Sequence, residues 1–185
     1  MPTASDIFTR PAGRDDAKLV HEVYLQTPRY FEIISIPLPT LAEVERELEA
    51  AAQDGRRFVE LIFAAGRNGA RPSPPEAATA GNVIGYLDYK LDYPQPGDAT
   101  VNLLLIIEPL QSRGFGRRVV RDLERRLSGR VHRVLASIYG QNPRAERFWR
   151  SLGYHFAIDA KPILDWYAKV LAPSASLSDV YAQTR

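Results

Sequence analysis

The chain has 185 residues, 45% of them hydrophobic and 25% charged, enough to bury one sizeable core, and its formal net charge of +2 suits an anionic ligand but is too small to argue for nucleic acid. Zero cysteines exclude disulfides, thiolate catalysis and cysteine zinc sites, and the three histidines (His21, His132, His155) are too scattered to suggest a metal centre. With neither a basic N-terminal segment leading into an apolar core nor a run of about 18 apolar residues, no signal peptide or membrane span is expected, and the chain reads as cytoplasmic.

Ile7–Arg10 is a first strand, ended by Pro11-Ala12-Gly13. Leu19, Val20, Val23 and Tyr24 recur at helical spacing, which predicts a helix over 14–25. Thr27-Pro28 has the form of an N-cap followed by proline at the first helical position, opening a short helix to Ile34. Thr40 to Glu43 matches a capping box, and Leu41, Val44, Leu48 and Ala51 then line one helical face. Phe58–Phe63 is the next strand. Residues 66–81, rich in Gly, Pro, Ala and Ser, read as a long mobile connection. From Asn82 to Leu91 a strand resumes, with Tyr86, Asp88 and Lys90 on one side and Leu87, Tyr89 and Leu91 on the other. A Pro/Gly turn at Tyr93–Asp98 makes a hairpin with Ala99–Ile107.

Gln111-Ser112-Arg113-Gly114-Phe115-Gly116 follows that strand and leads into a helix with Phe115, Val119, Leu123 and Leu127 on one face. Val131–Ile138 is a strand, and Asn142-Pro143 starts a helix carrying Ala145, Phe148, Trp149 and Leu152, stopped by Gly153. Strands at 154–158 and 164–171 and a polar tail over 172–185 complete the chain. Helices come first, then antiparallel strands, then a β-α-β unit, which is a mixed α+β order and excludes a purely doubly wound sheet.

A strand, a glycine turn and a helix start aim free backbone N–H groups at one point, which attracts phosphate. A P-loop needs a Gly-Lys-Ser/Thr run that this chain lacks. A dinucleotide fingerprint needs glycine or alanine at Val119 and an acidic residue near Ile138-Tyr139-Gly140. Both fail. What remains is Gln/Arg-x-x-Gly-x-Gly/Ala, met by Gln111, Gly114 and Gly116, and followed by Asn142-x-x-Ala145-x-x-Phe148-Trp149-x-x-Leu152-Gly153-Tyr154.

These two segments resemble the acetyl-CoA-binding and second motifs of the GNAT (Gcn5-related N-acetyltransferase) superfamily; residues 99–154 carry the specific signal. The resemblance implies a single domain over 1–171. Its central, mostly antiparallel twisted sheet of about six or seven strands would splay between strands 4 and 5, with helices flanking it. It implies acetyl-CoA as co-substrate, with no metal, and an amine acceptor on a small molecule or protein attacking directly in a ternary complex. The phosphates would meet Ser112, Arg113, Gly114, Phe115, Gly116 and Arg117 after Gln111, with Arg118 as a further guanidinium. Pantetheine would bond the backbone of Leu105, Ile106 and Ile107, and Asn142 would reach it from the other side.

Many members place a tyrosine acid after the second motif's phenylalanine; here Trp149 stands there, to pack against pantetheine or fill the core. Tyr139 and Tyr154 are the replacement candidates. Thr100 occupies the position of a glutamate base, flanked by Asp98 and Asn102, and Asp88 is the candidate base on the preceding strand, its alternative a solvated charge paired with Lys90. Glu108 reads as exposed, and Arg121, Arg125 and Arg126 as a solvated face. The acceptor pocket is expected among residues 24–40, Tyr86–Tyr93 and the tail end of the fold, with Tyr24, Tyr30, Phe31 and Tyr93 as aromatic lining or as core. A catalytically weak acyl-CoA-binding regulatory module is the alternative function, homodimerisation is open, and neither nucleic acid nor a membrane is an expected partner.

Overall fold

The computed structural model describes residues 7–64, 83–161 and 164–171. The expected connection at 66–81, the first residue of the Asn82 strand and the tail at 172–185 lie outside them. Seven strands, β1 (Ile7–Pro11), β2 (Arg57–Ala64), β3 (Val83–Leu91), β4 (Asp98–Ile106), β5 (Arg133–Tyr139), β6 (His155–Lys161) and β7 (Leu164–Val170), form one sheet in the order β1-β2-β3-β4-β5-β7-β6. Every pairing is antiparallel except β4 with β5. The helices are α1 (Ala17–Leu25), α2 (Pro28–Ile34), α3 (Leu41–Gln53), α4 (Phe115–Leu127) and α5 (Pro143–Arg150). The mixed α+β expectation holds.

Strand alternation sends side chains to two cores. Leu61, Phe63, Tyr86 and Leu105 pack with Val20, Tyr24, Phe31, Val44 and Leu48 of α1–α3. Ile62, Leu87, Tyr89 and Ile106 pack on the opposite face with Phe115, Val119, Leu123 and Leu127 of α4. Truncating Leu123, which is fully buried, to alanine forfeits about 2–5 kcal/mol. The capping box forms as read: Thr40 Oγ1 accepts from the Glu43 N–H, and Glu43 accepts from the Thr40 N–H at 2.7 Å. Thr27 does not cap α2. It is buried between α1 and α2, so its hydroxyl donates back to the Val23 carbonyl at 2.9 Å, satisfying an end group of α1.

One charge expected on a solvated face is placed otherwise. Arg126 crosses from α4 to β2 and donates to both oxygens of buried Glu60, at 2.7 and 2.9 Å. Arg125 does stay outside, beside Asp122. Where β4 and β5 begin, Arg133 makes a two-pronged, buried ion pair with Asp98, its opposite residue in the parallel register, at 2.7 and 2.8 Å.

Candidate functional site

The parallel pairing of β4 and β5 runs from Asp98↔Arg133 only to Val101↔Ala136, although β4 continues to Ile106 and β5 to Tyr139. Beyond that pair the strands part. Asn102, Leu103 and Leu104, inside a strand otherwise buried, become half-exposed there. A cavity of about 820 Å³ occupies the gap, lined by both strand ends, α2, the glycine turn and α5.

Ladder geometry decides which backbone groups face that gap. The Ile107 N–H donates to the Ile84 carbonyl at 2.9 Å, and Tyr86 lies opposite Leu105. In an antiparallel pair the hydrogen-bonding residues alternate, so Leu105 and Ile107 direct their N–H and C=O groups at β3. Leu104 and Ile106 direct theirs at the gap. Of the three residues expected to bond pantetheine, only Ile106 therefore has the right orientation, and its carbonyl already accepts from Gln111 Nε2 at 2.7 Å. Leu104 faces the gap where Leu105 and Ile107 do not, for a reason that a run of apolar letters cannot express.

At one end of the cavity stands the glycine turn. Gly114 caps α4 in the left-handed region, with φ 86°, and Ser112 also lies there, with φ 60°. Successive N–H groups in such a conformation, at the start of a helix, form an anion-binding concavity. Gly116 serves a different purpose: a Cβ there would sit 3.3 Å from the Phe148 ring, so its absence lets α5 close against α4. Arg144 of α5 donates to Ser112 Oγ at 3.2 Å, and Arg117 to Ser151 Oγ at 3.2 Å, which ties the turn to the second motif. Gln111, Ser112, Gly114, Phe115, Gly116 and Arg117 line the cavity; Arg113 and Ile107 do not. Asn142 lines it as well, but its Oδ1 accepts from the Ala145 N–H at 3.0 Å and caps α5, leaving the NH₂ end for other partners. Trp149 is both lining and core: it is buried against Phe148 and Tyr154, with ring centroids 5.1 and 4.8 Å away.

The three residues singled out for proton transfer separate. Tyr139 lines the cavity on β5, half-buried, and burial, aided by the nearby Tyr93 and Asp88, raises its pKa, so the phenol keeps its proton at neutral pH. Tyr154 lies fully buried in the α4 core, away from the cavity lining, and burial followed by the charge of Glu124 raises its pKa strongly. Asp88 is buried beneath the site and does not pair with Lys90. Its carboxylate accepts from Arg57 Nε at 3.2 and 3.1 Å, from Arg57 Nη2, and from Asn102 Nδ2 at 3.0 Å, while Lys90 reaches Asp54 at 2.6 Å. Thr100 is buried, with its hydroxyl donating to the Tyr93 carbonyl.

Three of the aromatic residues weighed as pocket lining or core are divided by the structure. Tyr30 and Ile33 of α2 wall the cavity, while Tyr24 and Phe31 belong to the core. Gly140, with φ 64°, passes so near α2 that a Cβ would lie 2.8 Å from the Ile33 carbonyl oxygen. Glu108, expected to be merely exposed, accepts from the Arg29 N–H at 3.1 Å, while its own N–H donates to Gln26. These contacts stitch α1 and α2 to a turn some 80 residues later in the chain, which only the tertiary structure can announce.

A family model described as "Acetyltransferase (GNAT) family" matches residues 38–154. No curated protein sequence matches the chain. Among solved structures, an acetyltransferase from Thermus thermophilus is 37% identical with a TM-score of 0.79, over 90% of this chain and 97% of that one. A spermidine N-acetyltransferase from Vibrio cholerae, solved with CoA and spermine, is 14% identical with a TM-score of 0.67, over 90% and 96%. An acetyl transferase from Salmonella typhimurium that modifies the N-terminal serine of ribosomal protein L7/L12 is 13% identical with a TM-score of 0.70, over 91% and 96%. With the family model spanning both motifs and the sheet that opens between them, the chain belongs to the acetyltransferase (GNAT) family.

Proposed function

We propose that the protein transfers an acetyl group from acetyl-CoA to a primary amine by direct attack in a ternary complex. The observation that carries this reading is the parting of β4 and β5 after Val101↔Ala136, which joins a phosphate cradle at Gly114 to a polar, aromatic end at Asn102, Tyr139 and Tyr30. The residues present fit acetyl-CoA: the left-handed Gly114 turn suits a pyrophosphate, and the half-exposed Leu103 and Leu104 suit a narrow chain with amides. When bound, acetyl-CoA supplies the activated thioester. Leu104 and Ile106 offer backbone groups along the gap, Arg117 and Arg144 offer positive charge at the turn, and Trp149 closes the apolar wall. Tyr139 holds a proton at the cavity wall through neutral pH and is the acid of this reading. Asp88 is no base here, because both its oxygens already accept hydrogen bonds.

Acetyl-CoA binding in the micromolar range is expected and should disappear in Gly114→Asp, whose side chain brings both a strained φ and a repelling charge to the cradle. A folded Gly114→Asp protein that binds as well as wild type would remove the cofactor assignment. A regulatory module that binds acyl-CoA without turnover is the second reading, favoured by Trp149 at the family's usual tyrosine position. Release of CoA thiol with a panel of spermidine, kanamycin and a peptide bearing a free α-amino group separates the two, since a module would bind acetyl-CoA and release none.

A further inference from the structure

Asn102 is the residue at which β4 changes register. Tyr89 lies opposite Val101 and Asp88 opposite Leu103, so Asn102 is the extra residue between them. A bulge of this kind turns the strand and re-aims a side chain. It falls one residue beyond the last β4–β5 pair, so Asn102 is the first side chain of β4 to stand beside the opened gap, half-buried and lining the cavity.

The amide can face only one way. Asp88, held by two nitrogens of Arg57, is a carboxylate and only accepts; it therefore takes the NH₂ end of Asn102, at 3.0 Å. Oδ1, an acceptor, is the end left for the cavity. The support extends far behind it. Arg57 also donates to Glu47 Oε1 at 3.0 Å, and the Tyr24 hydroxyl donates to Glu47 Oε2 at 3.2 Å. One chain of hydrogen bonds thus runs from α1 through α3, β2 and β3 to a single amide on β4. A buried carboxylate and guanidinium need partners, but they do not need a partner at the edge of the gap.

Resting on the acetyl-transfer reading above, we infer that Asn102 Oδ1 receives an N–H of the acceptor amine, and that Asp88 is the positioning residue that fixes the amide in that orientation. The site so assigned takes an uncharged amine with at least one N–H: Oδ1 holds that hydrogen and leaves the nitrogen lone pair free to turn toward the gap. The Asn102 amide binds the amine but takes no proton from it, and an amine without an N–H lacks the contact.

The test uses the full chain, with three single variants (Asn102→Ala, Asn102→Ser and Asp88→Asn) and the exchange Asp88→Asn/Asn102→Asp. Three quantities are measured on each: acetyl-CoA affinity, kcat/KM for the panel amine that wild type turns over fastest, and calorimetric binding of spermidine to protein saturated with CoA. Asn102→Ala should lower kcat/KM for the amine roughly 100-fold, the cost of a misplaced reactant, with acetyl-CoA affinity unchanged. In Asp88→Asn the Asn102 amide is free to turn over, so the same loss is expected. The exchange rebuilds an N–H to O bond between the two positions with an oxygen toward the cavity, and should recover about tenfold over Asp88→Asn alone. Were Asn102 only a partner for buried Asp88, Asn102→Ala would unfold the protein or leave kcat/KM intact, and the exchange would restore stability alone; that result overturns the assignment. Should Asp88→Asn fail to fold, the two variants at half-exposed Asn102 still decide. If wild type binds acetyl-CoA but turns over no amine, the acetyl-transfer reading falls separately; weakened spermidine binding in Asn102→Ala would then still support the contact, and unchanged binding would overturn it.

Discussion

Two tyrosines, Tyr139 and Tyr154, are equivalent as letters and opposite as groups. Both have raised pKa values with burial as the leading cause, but only Tyr139 has its ring on the cavity wall. A phenol sealed in the α4 core has no route to a reacting atom, whatever its pKa. Tyr139→Phe should therefore lower kcat by about 100-fold or more while acetyl-CoA binding stays as it was. Tyr154→Phe should leave kcat intact and change only stability. Steady-state kinetics on the two variants check this, and an equal loss in both would dismiss Tyr139 as the acid. Asp88 gives the same lesson at the same scale: a carboxylate on the strand face that the alternation gives lies against the guanidinium of Arg57, with both oxygens already accepting hydrogen bonds.

Among the elements, β4 and β5 set the site by where their pairing stops. The buried Asp98–Arg133 pair joins the strands at their first matched position, and the ladder ends at the fourth, Val101↔Ala136. Removing one partner leaves the other charge buried and alone, so Asp98→Ala should cost about 3–5 kcal/mol, read as a lower urea midpoint. Because the pair lies at the closed end of the two strands, acetyl-CoA affinity in the folded variant should fall less than in Gly114→Asp. Stability within about 1 kcal/mol of wild type would show that this pair does not hold the strands together. The two glycines of the turn divide their work at this scale too: Gly114 adopts a φ of 86° that a side chain resists, and Gly116 yields space to Phe148 of a different helix.

For the molecule as a whole, buried phenols set the alkaline limit of the fold. Burial, then nearby charged groups, holds Tyr24, Tyr86 and Tyr154 well above the ordinary tyrosine value of about 10. Above that pH the unfolded chain loses these protons while the native state keeps them, so unfolding is favoured as pH rises. The stability they contribute is complete below about pH 10 and is lost at higher pH. Urea midpoints measured across this range should fall from about pH 10 upward, and less steeply in Tyr86→Phe. A midpoint independent of pH there would mean that these hydroxyls reach solvent in the native state.

By itself the sequence determined the order of elements, the capping box at Thr40–Glu43, the apolar face of α4 and the two motifs around Gly114 and Asn142. Each of these is local: helical period, a cap, or a turn that needs glycine, all written within a few residues of chain. Only the tertiary structure decided that β4 leaves β5 after Val101, that Leu104 and not Leu105 turns its backbone to the gap, and that Arg57, not Lys90, pairs with Asp88. It also brought Tyr30 to the cavity wall and tied Glu108 to Arg29 of α2. Those outcomes depend on register and on contacts between residues far apart in the chain, where a shift of one residue reverses which groups face the ligand.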